Sequence, residues 1–65
     1  MFKIYNLPEY TFNYNFIVAR DVDGDLWFWG AWNTEAEARK IAVEIGGEVV
    51  SVDDIDPDTK YYEMP

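Results

Sequence analysis

Two short acidic runs hold the side chains in this chain most capable of chemistry. One is Asp21-Val22-Asp23-Gly24-Asp25; the other packs Asp53, Asp54, Asp56 and Asp58 into the segment before Thr59. Clustered carboxylates suit a hard cation, or general acid–base work between a pair of them. A calcium loop of the EF-hand kind needs Gly at its sixth position and a bidentate Glu at its twelfth. Counting from Asp21, Gly24 comes too early and Trp32 stands where the Glu should be. The first run therefore reads as a hairpin turn. The second reads as a solvated acidic loop, or as a patch that docks on Lys or Arg of a partner.

Other chemistry is sparsely provided. With no His and no Cys, zinc sites built on those residues, imidazole catalysis and thiol chemistry are all excluded. No phosphate-binding loop or dinucleotide fingerprint is present. A sheet-and-helix unit of 65 residues also leaves little room for a substrate cleft between carboxylates. The expectation is a single domain over residues 1–65, not an enzyme, with no cofactor and no bound metal.

Charge points toward a partner. Thirteen Asp and Glu against five Lys and Arg give a formal charge of −8. Self-repulsion on that scale opposes compaction, and its simplest use is to meet a basic surface. Direct binding to DNA, RNA or anionic lipid is disfavoured, because it needs Lys and Arg to displace counterions. No apolar run reaches the ~20 residues of a membrane span, and the first ten residues lack a basic, then apolar, leader pattern. A cytoplasmic protein is expected.

The elements that must carry these side chains are legible in part. Tyr14 to Arg20 and Asp25 to Trp32 are aromatic and β-branched runs, and Asp23-Gly24 between them suits a two-residue type I′ turn. That turn sets Val22 opposite Asp25, Arg20 opposite Trp27, Val18 opposite Trp29 and Phe16 opposite Ala31. Strict alternation then places Ile17, Ala19, Leu26, Phe28, Gly30 and Trp32 on one face. Tyr14, Phe16, Val18, Arg20, Trp27, Trp29 and Ala31 fall on the other. A helix from Thr34 to Ile45 follows, opened by the capping box Thr34/Glu37 and closed by Gly46-Gly47. Its apolar stripe of Ala38, Ile41, Ala42 and Ile45 is expected against Ile17, Ala19 and Phe28.

Glu48 to Val52 reads as a further strand and Phe2 to Tyr5 as another, ended by Pro8. Asp53 to Asp58 is an acidic loop broken by Pro57, and Lys60 to Met64 is a last edge strand or an ordered tail. The fold expected is α+β: a small antiparallel sheet of three or four strands around a central aromatic hairpin, with one helix on one face in a ββαβ core. Trp27 and Trp29 would lie on the face away from the helix. There they form either a second core layer under Phe2, Ile4, Tyr61 and Tyr62, or an exposed aromatic platform of the kind that anchors interfaces. Arg20 is placed to lie over the Trp27 ring.

Asp25 to Val50 runs from an aromatic strand through Asn-Thr-Glu-Ala-Glu-Ala-Arg to a Gly-Gly stop before Glu-Val-Val. This stretch, under half the chain, is similar to small phage and mobile-element proteins that pair a Trp/Tyr-rich hairpin with a Thr-x-x-Glu-Ala helix. With its size and acidity, the whole resembles the anti-defence proteins of phages, including anti-CRISPR inhibitors. The resemblance implies a stoichiometric inhibitor acting in the host cytoplasm on a basic nucleic-acid-binding site of a nuclease or defence protein. Asp21, Asp23, Asp25, Asp53, Asp54, Asp56 and Asp58 would supply its acidic contacts, and Trp27 and Trp29 its apolar anchors. The alternative is a small structural or adaptor domain that homodimerises through its aromatic sheet face.

Overall fold

In the computed structural model, residues 1–56 are described. The elements in chain order are β1 (Ile4–Tyr5), a 3₁₀ turn (Glu9–Asn13), β2 (Phe16–Val22), β3 (Asp25–Trp32), α1 (Glu35–Ile45), β4 (Glu48–Ser51) and a second 3₁₀ turn (Val52–Asp54). The fold is α+β, with one helix packed on a four-stranded sheet of order β1-β3-β2-β4. The sheet is mixed rather than wholly antiparallel, because β1 runs parallel to β3 with Ile4 beside Leu26 and Tyr5 beside Trp27. After β1 the chain turns at Asn6 (φ 59) and crosses one sheet face through the first 3₁₀ turn. It starts β2 one strand-width further over, and β3 then fills the gap in the direction of β1.

The hairpin turn lies where its chemistry requires. Asp23 (φ 55) and Gly24 (φ 89) both take the left-handed conformation of a type I′ turn. Val22 pairs with Asp25, and Arg20 with Trp27, as alternation from the turn demands. Beyond that point the register slips at a bulge opposite Val18/Ala19, where Trp29 is the extra residue. Val18 therefore meets Gly30 instead of Trp29, Ile17 meets Ala31, and Phe16 meets Trp32. Gly30 and Trp32 move to the Val18 face, and Ala31 to the Ile17 face. A Cβ on Gly30 would stand 2.5 Å from the Trp32 ring, so the indole lies against bare backbone. Only glycine permits that approach.

Thr34 caps α1: its side chain accepts a hydrogen bond from the Glu37 N–H at 3.3 Å, and its hydroxyl donates to Glu37 Oε1 at 2.7 Å. At the other end Gly46 is left-handed (φ 69) and the Gly47 N–H bonds the Ala42 carbonyl, a Schellman stop. Thr34→Ala should cost about 1 kcal/mol by removing the cap. Chemical denaturation read by circular dichroism checks it, and an unchanged midpoint would mean that the cap contributes nothing.

The helix occupies the face opposite to the one expected. Ala38 and Ala42 pack on Val18, with Phe16, Trp32, Ile41, Ile45 and Val49 around them. Ile17, Ala19 and Phe28 belong instead to a second core with Ile4, Leu7, Val50, Ile55, Leu26, Ala31 and Val52, roofed by the two 3₁₀ turns. Both faces of β2 are apolar, so its pattern does not say which face takes the helix. The small Ala38/Ala42 stripe lets α1 sit close over Val18, while the connections fill the other side.

The first 3₁₀ turn holds one polar anomaly. Thr11 is fully buried, and among the described residues its hydroxyl has no hydrogen-bond partner. A buried unsatisfied hydroxyl costs roughly 1–3 kcal/mol, and valine has nearly the same shape. Thr11→Val is therefore expected to stabilise the protein, raising the melting temperature by several degrees. A lower melting temperature in calorimetry would show that the hydroxyl is solvated or bonded.

Candidate protein-docking surface

The hairpin tip carries the first acidic group. Asp21 Oδ1 accepts a hydrogen bond from the Gly24 N–H at 3.0 Å, so this carboxylate helps to hold the turn as well as adding charge. Asp23 and Asp25 are exposed beside it. The backbone of the tip is thus held by that bond, with the Asp23 and Asp25 side chains exposed on it, so little backbone ordering would be needed when it meets a partner.

Trp27 and Trp29 lie on the helix-bearing face, not on the face away from it. Trp27 is opposite Arg20, two residues along β2 from the helix-covered Val18. The helix lies chiefly over β2 and β4, which leaves the β3–β1 side of that face outside its cover. There the Tyr5 and Trp27 rings stack with centroids 5.1 Å apart. Phe2 and Ile4 do not form the expected cover: Ile4 is in the opposite core, and Phe2 bridges to Ile55. Trp27 is half-buried, and Trp29 keeps 50% of its surface exposed. The Arg20 guanidinium lies over the Trp29 ring, 5.7 Å from its centroid, instead of over Trp27. Bulging explains the change of partner, because it turns Trp29 toward Arg20.

The second acidic group follows β4. Asp53 and Asp54 are exposed on the 3₁₀ turn, while the next residue, Ile55, is buried. The Asp54 carbonyl accepts from the Phe2 N–H (2.8 Å), and the Asp56 N–H donates to the Phe2 carbonyl (2.7 Å). This stretch is therefore not a free loop but a tether between β4 and the start of the chain. Asp58, and the strand or tail expected over Lys60 to Met64 with Tyr61 and Tyr62, lie outside the described residues. Among the described residues no three carboxylates converge closely enough to hold a metal ion.

Three features of this surface were not foreseen from sequence. Tyr5 joins the aromatic ridge only because β1 is parallel to β3, and Ile55 anchors the acidic turn from an otherwise polar segment. The bulge did leave a sign, since a glycine inside an aromatic strand marks a bulge or a close approach. No helix among the described residues is long and apolar enough to cross a membrane. Compared with known proteins, the chain matches no family model, no curated sequence and no solved structure.

Proposed function

We propose that this chain is a non-catalytic, stoichiometric inhibitor that binds a basic protein surface, of the kind with which nucleases and defence proteins hold nucleic acid. The observation that carries the reading is the rigid hairpin. It presents Asp23 and Asp25 at a locked tip and the half-exposed Trp29 a few residues along the same strand. The tip carboxylates would stand in for phosphates, and the net charge of −8 would steer encounter with a cationic groove. Trp29 would supply the apolar anchor such interfaces need, since aromatic residues dominate their hot spots. The proposed place of action is the cytoplasm, in a phage-infected host.

The exposed Trp29 also supports a second reading, a homodimer through the aromatic ridge whose acidity serves only solubility. Affinity capture from lysate, with salt elution and then assay of the captured enzyme, separates the two. Capture of a nucleic-acid enzyme that one equivalent of this protein silences is the expected result. Recovery of nothing but its own copies, with a dimer in sedimentation equilibrium, would replace the inhibitor with the adaptor.

A further inference from the structure

Among the described residues the sheet ends at β4, whose outer side is an edge. In a two-residue type I′ hairpin the closing pair, here Val22 and Asp25, exchanges both backbone hydrogen bonds. Alternation along β2 then turns the backbone groups of Ala19 and Ile17 toward β4, where they meet Glu48 and Val50. Val49 consequently points its N–H and C=O away from the sheet, and Ser51 its N–H, while the Ser51 C=O opens the second 3₁₀ turn as its N-cap. Among the described residues no strand lies beyond β4 to receive them. Such a row is a ready template for one more strand.

Natural edges are usually guarded by lysine, proline or a bulge. β4 has no Lys, Pro or bulge; its protection is its shortness, four residues with Glu48 at one end. The segment 44–56 contains Glu44, Glu48, Asp53, Asp54 and Asp56 and not one Lys or Arg. A second copy would bring the same carboxylates against them, and like charges across an interface are strongly disfavoured. We infer that the β4 edge accepts an extended, Lys- or Arg-rich segment of a partner protein as a fifth strand. Main-chain bonds to Val49 and Ser51 hold it, and the flanking carboxylates select its charge. The site is separate from the hairpin tip and stands whether or not the tip docks on a nuclease.

Ser51 provides a clean test. Its φ is −68°, the value proline imposes, so Ser51→Pro removes an outward N–H without straining the backbone. The probe is a short acetylated peptide of alternating Lys and Val, with the Glu/Val peptide as control, titrated into the full chain and followed by amide resonances and hydrogen exchange. The Lys peptide is expected to shift Val49 and Ser51 and to slow their exchange at least ~10-fold, while the Glu peptide does neither. Ser51→Pro should keep the fold and bind the Lys peptide at least ~10-fold more weakly, as one removed main-chain bond of about 1.4 kcal/mol requires. Should that variant not fold, Asp53→Lys with Asp54→Lys gives the same weakening through charge. Shifts confined to Asp23 and Gly24, equal binding of both peptides, or no response of Val49 and Ser51 at millimolar peptide would overturn the assignment. So would a free protein already dimeric with those two amides protected, since the edge would then belong to a second copy.

Discussion

Replacing Ile17 by Ala is expected to leave a large fraction of the protein unfolded at 37 °C. Ile17 is fully buried, in a core that also holds Ile4 near the start of the described chain and Ile55 near its end. Truncating such a side chain costs roughly 2–5 kcal/mol, the lost transfer energy plus the cavity left behind. A domain of this length has only about 3–10 kcal/mol in total. With no disulfide to restrain its unfolded state, nothing offsets the loss. Each kcal/mol lowers the melting temperature of a small domain by about 4–8 °C, so a fall of at least ~8 °C is the expected reading. Calorimetry of the variant decides it. A shift below about 3 °C would mean that this core is loose enough to collapse around the gap, and that the helix-side core around Val18 holds the fold alone.

That experiment also separates what local signals dictate from what they leave open. The turn at Asp23-Gly24 and the helix between Thr34 and Gly46 were legible because each is fixed by a few neighbouring residues. Left-handed backbone needs glycine or a short polar side chain, and a helix start needs an oxygen to cap it. Pairing close to the turn was legible for the same reason. Past Phe28 it was not, because a single extra residue flips every later side chain to the other face. Trp32 thus belongs with the helix and Ala31 with Ile17, the reverse of simple alternation. The placement of α1 was open in a deeper sense. Val18 and Ile17 are equally apolar neighbours on opposite faces, and the connections around Leu7, Val52 and Ile55 decide between them by long-range packing. Parallel pairing of β1 leaves no mark in two residues. The acidic and aromatic residues of the candidate surface were legible as types, while their grouping was not. Trp27 and Trp29 share a face with the helix, and Asp53 and Asp54 sit on a tethered turn.

The hairpin itself should then be the energetic centre of target binding, and its two components should fail in different ways. Trp29→Ala is expected to weaken binding to the captured target at least ~30-fold, the loss of about 2 kcal/mol that defines an interface hot spot. Its effect should lie mostly in faster dissociation, since the indole acts only after contact has formed. Half of the Trp29 surface is already in water, so the folded state should lose less from this change than from Ile17→Ala. Asp23→Lys with Asp25→Lys should instead slow association and flatten its salt dependence. These carboxylates act at a distance, and their reach shrinks from about 10 Å at 0.1 M salt to about 3 Å at 1 M. Asp21 is left in place in that variant, because its bond to the Gly24 N–H holds the turn. Stopped-flow association and dissociation rates over a salt series, with near-ultraviolet circular dichroism as the check on folding, resolve the two effects. If both variants bind with the rates and salt slope of the parent chain, the hairpin is not the docking surface. Binding that still falls with salt would then have to come from the carboxylates around β4.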